Sequence, residues 1–251
     1  MSAITIGWIV FACVFGGVLL GMFLRTALPE HHLSMDSKDV VKLGMGLLAT
    51  MAALLLSLMI ASAKSSYDTQ SSELTQLSAN IVLLDRVMAL YGPETKEARD
   101  LLRRSVARAL DRMWSKDGSR SAQLEPAAAG EERLYDKIQA LSPRNEAQRS
   151  LRAEALRISI DLARTRWLLF EEGGGSIPVP FLVVLIFWVT VIFISFGLFA
   201  PPNATVIATL FVCALSVSGA IFLILELDQP FEGLIQISSA PLRSALANLG
   251  Q

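Results

Sequence analysis

Residues 177–225 read IPVPFLVVLIFWVTVIFISFGLF (177–199), APPN (200–203) and ATVIATLFVCALSVSGAIFLIL (204–225). Neither long run contains a charge, and each exceeds the roughly 20 apolar residues that carry a helix across a hydrocarbon core about 30 Å thick. A segment in lipid has to satisfy its own backbone hydrogen bonds, so each run is a helix. Pro201 and Pro202 stop the first helix, and Asn203 is placed to cap the next. With only four linking residues the two helices form an antiparallel hairpin.

Two further uncharged runs, Ile4–Leu24 and Leu43–Ala63, bring the number of crossings to four. The first has no basic segment before it and no small-residue cleavage site after it, so it reads as a retained helix. The composition agrees: 53% of the 251 residues are hydrophobic and the mean hydropathy is +0.49. Charges are nearly balanced, 22 basic against 23 acidic, which names no polyanionic partner and no nucleic acid. Most of them fall between residues 64 and 176. The fold class is therefore all-α, a four-helix transmembrane protein with a helical cytoplasmic bundle inserted between helices two and three. The divisions are 1–63 for the first two crossings, 64–176 for the bundle, 177–226 for the hairpin and 227–251 for a cytoplasmic tail. Lys64, Arg164, Arg166 and Arg243 flank the bundle side, against Arg25, Lys38 and Lys42 opposite. That balance places the bundle and both termini in the cytoplasm.

Within the insert, Leu74, Leu77, Ile81, Leu84, Met88 and Tyr91 recur three and four apart, the seam of a helix packed as in a coiled coil. One chain's short bundle leaves this seam partly uncovered, so it is expected to mediate self-association. Gly92-Pro93 ends that helix. A second runs from Glu94 to about Trp114, burying Leu101, Leu102, Val106, Leu110 and Met113. Residues 115–130 read as a mobile loop, 131–141 as a short helix, and Ser142-Pro143 as the start of a last helix to about Phe170. Gly173-Gly174-Gly175 and the prolines Pro178 and Pro180 mark a hinge, with Trp167 and Phe170 as interfacial anchors before it.

Chemistry is sparse. There is no nucleophile elbow, phosphate loop, HExxH or CxxC, so the chain is not read as an enzyme and no cofactor is expected. His31 and His32 are adjacent and point apart on a helix. Cys13 and Cys213 sit in apolar runs as small buried helix residues. No acid, Lys, Arg or His lies within the crossings, where proton-coupled transport usually places one. The stator subunit of an ion-driven motor, which needs a carboxylate in the membrane, is disfavoured for the same reason.

Two patterns remain. On helix two, Gly46, Thr50, Ala53, Ser57, Ile60 and Lys64 hold one face. This face is either the wall of a pore in an oligomer or a close helix–helix contact, since small residues let helices approach. In the insert, Arg104, Arg108 and Arg112 share one face, beside Arg99 and Arg103. They form either an electropositive wall that attracts anions or a solvated face balanced by Glu97, Asp100 and Asp111.

After the fourth crossing stands Glu226-Leu227-Asp228-Gln229-Pro230-Phe231-Glu232-Gly233, then Leu234-Ile235-Gln236-Ile237-Ser238 and Pro241-Leu242-Arg243. This resembles the post-membrane signature of the bacterial bestrophin-like membrane proteins, whose order of two helices, helical insert and two helices covers nearly the whole chain. A more distant similarity links them to bestrophins, which are pentameric anion channels with a pore lined by the second membrane helix. The resemblance implies an oligomeric anion or small-ion channel in the bacterial inner membrane, a homo-oligomer (a pentamer by that similarity) in contact with lipid and small inorganic ions. The alternative is a non-conducting scaffold or signalling protein that binds a cytoplasmic partner. The bulky neck of bestrophins has only Met45, Met51, Leu55 and Met59 as counterparts. Their run of calcium-binding acids is reduced here to Glu226, Asp228 and Glu232, separated by apolar residues, so no metal site is carried over. Read from its residues alone, the segment breaks helix four at Pro230. It turns Asp228 and Glu232 to water and packs Phe231, Leu234 and Ile237 on the bundle.

Overall fold

The computed structural model describes residues 2–27, 35–114, 128–172, 177–201, 203–231 and 233–250. Sequence features at His31, His32, Gly173, Gly174, Gly175, Pro202, Glu232 and most of the 115–130 loop lie outside those residues. The described chain is all-helical: α1 (Ala3–Ala27), α2 (Met35–Tyr91), a single 3-10 turn (Pro93–Thr95), α3 (Lys96–Met113), α4 (Ala128–Gln139), α5 (Glu146–Glu172), α6 (Val179–Phe199), α7 (Ala204–Leu227) and α8 (Ala240–Asn248). Four of these helices are long and apolar enough to cross a membrane by length and composition. With 57 residues, α2 has more than a crossing requires, and its apolar stretch is confined to 43–63. The chain divides into two compact units, Met1–Ser65 with Ser176–Asp228, and Ser66–Gly175 with Gln229–Gln251.

In the first unit α1 is the centre. Val10, Val14 and Val18 are fully buried against Leu185, Val189, Ile192 and Phe193 of α6 and Ala214 and Ile221 of α7. The approach to α6 is made by glycines. A Cβ on Gly21 would fall inside the van der Waals surface of the Ile194 carbonyl oxygen, and one on Gly197 would do the same to the Val18 carbonyl. Gly17 is less tight: a Cβ there would lie 3.2 Å from the Thr190 carbonyl oxygen. Gly17 and Gly21 are one helical turn apart, the small-xxx-small spacing that lets backbones close together in lipid. The contacts advance along both helices together, so α1 and α6 are parallel. Against α7 the order reverses: the Ser218 hydroxyl donates to the Gly7 carbonyl at 2.6 Å, while Phe15 meets Phe211 edge-on at 5.3 Å. The hairpin is thus antiparallel, as its short link requires. Arg25 donates to the Ala200 carbonyl and closes the C-terminal end of α6. Asn203 occupies the α7 cap position but makes no side-chain cap bond. Cys13 and Cys213 are free and exposed rather than buried.

In the second unit the α2 seam is closed by the chain itself. Ile81, Leu84 and Met88 pack with Leu102 and Val106 of α3, Leu134 and Ile138 of α4, Ala155 and Ile158 of α5, and Leu242 and Ala245 of α8. Tyr91 and Leu74 are also buried. The seam is therefore core and not the self-association surface that its period suggested. The tail supplies the missing cover. At its C-terminal end α2 is capped from two sides: the Thr95 hydroxyl donates to the Met88 carbonyl at 2.6 Å, and the Gln148 amide donates to the Tyr91 carbonyl at 3.0 Å. Gly92, at φ 134°, makes the turn in a region closed to other residues. Asn145, not Ser142, caps α5: its side chain accepts from the Gln148 N–H at 2.8 Å, and the Gln148 side chain accepts from the Arg144 N–H one residue before the cap.

The glycine contact sets a measurable contrast. Gly21→Ala is expected to destabilise the purified chain in detergent by about 2 kcal/mol, the usual cost of overpacking. Gly16→Ala, which meets nothing within 4 Å, is expected to be neutral. Thermal unfolding followed by circular dichroism reads both, and equal melting temperatures would sink the account of α1 and α6.

Candidate functional site

The small-residue face of α2 is not used for packing within the chain. Gly46, Thr50, Ala53, Ser57, Ile60 and Lys64 are all exposed, as are Leu43, Leu47, Leu54 and Leu58 of the same crossing, in which only Ala52, Met59 and Ala63 are buried. A Cβ on Gly46 would meet nothing within 4 Å. A close contact between helices of one chain is thus not the reason for this face. The hydroxyls fold back on the helix: Thr50 donates to the Gly46 carbonyl at 2.9 Å and Ser57 to the Ala53 carbonyl at 2.8 Å. With their protons committed, they present lone pairs outward, and the positive charge of the face resides in Lys64 alone. The apolar neck candidates differ in burial. Met59 belongs to the core, Met45 and Leu55 are half-buried, and Met51 alone is exposed.

The post-membrane segment is built by a helix end and a short loop. Pro230, two residues beyond the Asp228 cap, cannot prolong α7. Glu226 and Asp228 are 3% and 6% exposed, and neither is without a partner. The expectation that Asp228 faces water is therefore corrected: it lies inside the protein at the end of the helix. Beyond it, the Ile237 N–H donates to the Pro230 carbonyl at 2.9 Å and closes the loop. Gly233, at φ 97°, supplies the left-handed turn that the loop needs. Phe231 packs edge-on to Trp114 at 6.4 Å, and the Trp114 indole N–H donates to the Ile237 carbonyl at 3.0 Å. Phe231 and Ile237 join Leu74 and Met113 in a small apolar cluster, as expected, but Leu234 is 76% exposed and does not. Among the described residues, no three His, Cys, Asp or Glu side chains group as metal ligands do.

Arg104, Arg108 and Arg112 do form one exposed row. Each Nε donates to the carbonyl one turn earlier, at 3.2–3.3 Å. Arg99 does not belong to it. Its guanidinium makes a bidentate pair with the buried Asp85 at 2.7 and 2.8 Å, and the Gly250 N–H adds a third bond to the same carboxylate at 3.2 Å. Sequence reasoning overlooked Asp85 and Trp114. The signal was there for the first: Asp85 is an acid placed directly after Leu84, inside the apolar seam. For Trp114 the signal was weaker, an indole donor at a helix end with no local acceptor.

A family model described as the Bestrophin-like domain matches residues 12–242. No curated protein and no solved structure matches the chain.

The Asp85 pair carries a pH dependence. Burial raises the carboxyl's pKa, but the Arg99 hydrogen bonds, the Gly250 N–H and the charges of Arg99 and Arg86 outweigh it, and the net direction is down. A carboxylate lowered in the folded state contributes stability that is present above its unfolded value and lost as pH falls through the folded one. Asp85→Asn is expected to cost about 3 kcal/mol at pH 7, the low end for a broken buried pair because Arg99 keeps some water. Its deficit relative to wild type should shrink as pH falls below about 4. Urea unfolding at pH 7 and pH 3 measures this, and a deficit unchanged between the two would refute it.

Proposed function

Because this chain belongs to the Bestrophin-like family, we propose that it is an oligomeric channel for anions or other small ions, with α2 lining the passage. The observation that carries this reading is the exposed face of Gly46, Thr50, Ala53, Ser57 and Ile60, ending in Lys64. A helix in a bundle normally spends its small residues on close packing. In this chain α1 and α6 provide that contact, and α2 leaves its own small residues outward. Copies arranged around an axis would enclose them.

The face is mildly polar, because glycine and alanine alternate with hydroxyl-bearing residues, and it carries no aromatic side chain. The outward lone pairs of Thr50 and Ser57 do not attract anions, so preference for anions falls to Lys64. Arg104, Arg108 and Arg112 would attract anions to the surface of the bundle. We place the bundle and both termini in the cytoplasm of a bacterium, with the four crossings in its inner membrane, on the distribution of Lys and Arg around them.

One observation favours the competing reading, a non-conducting scaffold that binds a cytoplasmic partner. The Thr50 and Ser57 hydroxyls are already satisfied by their own helix, so this face needs no water.

Charge reversal separates the two readings. Lys64→Glu is expected to move the reversal potential of purified protein in planar bilayers toward cation preference. The shift should be larger in dilute salt, because the Debye length is only about 8 Å at physiological ionic strength. Ser57→Trp should lower conductance while leaving assembly intact. Absence of ion flux from wild-type protein, with both variants assembling normally, would leave the scaffold as the function.

A further inference from the structure

Followed one turn beyond Gly46, the small-residue face of α2 gains a second cation. Lys42 is exposed, and the steps from it through the small residues to Lys64 are four, four, three, four, three and four. At 3.6 residues per turn the two lysines stand within about 40° of each other on the helix surface, six turns and about 33 Å apart. That separation matches a hydrocarbon core about 30 Å thick, and the 21 residues between the lysines carry no charge. A lysine that merely bounds a crossing reaches for the headgroups, and any direction around the helix serves for that. In α2 both lysines lie on the one stripe of small and hydroxyl-bearing residues, while Leu43, Leu47, Leu54 and Leu58 hold the stripe beside it.

Lys42 has a counterion of its own. Asp39 stands three residues further out on the same face, with a carboxylate oxygen 3.4 Å from the Lys42 ammonium. The two side chains are 66% and 65% exposed, so water screens the pair and the acid moderates the lysine without cancelling it. Along the helix axis Lys42 is also about 4.5 Å nearer the crossing than Asp39. An ion arriving at this end therefore passes the acid first and meets the lysine where the uncharged stripe begins. Lys38, at the edge of the buried side, is half-buried and does not belong to the stripe.

We propose that Lys42 is a second selectivity residue of the passage, ringing the mouth at the end of the crossing away from the bundle as Lys64 rings the other, with Asp39 setting how strongly that ring favours anions. The inference rests on the channel reading above and deepens it. A ring of ammonium groups raises the local anion concentration at its own mouth. With one ring at each end, anions are supplied from both sides, and loss or reversal of either ring makes the current depend on its direction.

The test uses full-length protein in planar bilayers under sodium chloride gradients. Lys42→Gln is expected to lower the chloride-to-sodium permeability ratio about threefold or more, and Asp39→Asn to raise it about twofold or more. Both effects should shrink in 1 M salt, where the Debye length is about 3 Å. Lys42→Glu and Lys64→Glu should rectify in opposite senses. A lysine that only anchors its helix in the headgroups gives none of these opposed signs. Lys42→Cys, with Cys13 and Cys213 replaced by serine, keeps the test independent of folding, because charge is added after assembly. An aminoethyl methanethiosulfonate applied from the side away from the bundle should restore the wild-type ratio, and a sulfonatoethyl one should push it below that of Lys42→Gln. A ratio unmoved by Lys42→Gln and by both reagents overturns the proposal and leaves the channel reading standing. A ratio lowered by Asp39→Asn overturns the part given to Asp39. Wild-type protein that passes neither ion overturns the channel reading and this one together.

Discussion

The close approach of α1 and α6 is the contact on which the arrangement of the membrane unit rests. In lipid there is little hydrophobic gain when one apolar helix meets another, so association depends on how near the backbones can come. Gly21 on one side and Gly197 on the other leave no room for a Cβ, and Gly17 leaves little. Everything else in this unit fits around that pair. The valines of α1 at 10, 14 and 18 complete the buried stripe, and α7 adds an antiparallel contact fixed by Ser218 and the Phe11–Phe15–Phe211 rings. Because the glycines of α1 and α6 fill this role, the small residues of α2 remain outward, and that is the opening for the functional reading.

The bundle is organised by a different kind of interaction. Its seam is apolar and ordinary, but its tail is held by polar bonds to main-chain atoms: Trp114 to the Ile237 carbonyl, and the Gly250 N–H to Asp85. Both attach the segment after α7 to helices of the insert, some 120 and 165 residues apart in sequence. The Pro-Phe-x-Gly segment thus has a structural meaning of its own. Proline ends the helix, phenylalanine enters the apolar cluster beside Trp114, and glycine takes the one turn that other residues would strain. A buried, paired Asp85 holds α2, α3 and the chain's last residues together, and breaking it leaves a charge without compensation.

Much of this was legible in the chain. Length and lack of charge identify four helices at 4–24, 43–63, 177–199 and 204–225, and the observed helices contain nearly all of each. The seam from Leu74 to Tyr91 was read correctly as one apolar face of its helix, because a period of three and four is a property of the helix itself, but it was expected to stay partly uncovered for a second copy. What covers it was not legible. Cover comes from Leu242, Ala245 and Leu249, far away in sequence, and no period within α2 can announce them. Local signals also misled at cap positions, where Ser142-Pro143 was as plausible as the Asn145–Gln148 pair that does the capping.

The surface properties of single residues divide along the same line. Small size and a hydroxyl group mark the Gly46–Lys64 face in the sequence, but whether it is buried depends on which neighbours reach it, and in this chain none covers it. Asp228 shows the opposite case: an acid past the end of a membrane helix reads as water-facing, and packing encloses it. The sequence by itself determined the helical fold class, the crossings and the spacing of residues along each face, because these follow from hydrogen bonding in lipid and from helical period. Only the tertiary structure decided which faces are spent within the chain and which are left for other molecules, because burial is set by contacts between residues that sequence distance keeps apart.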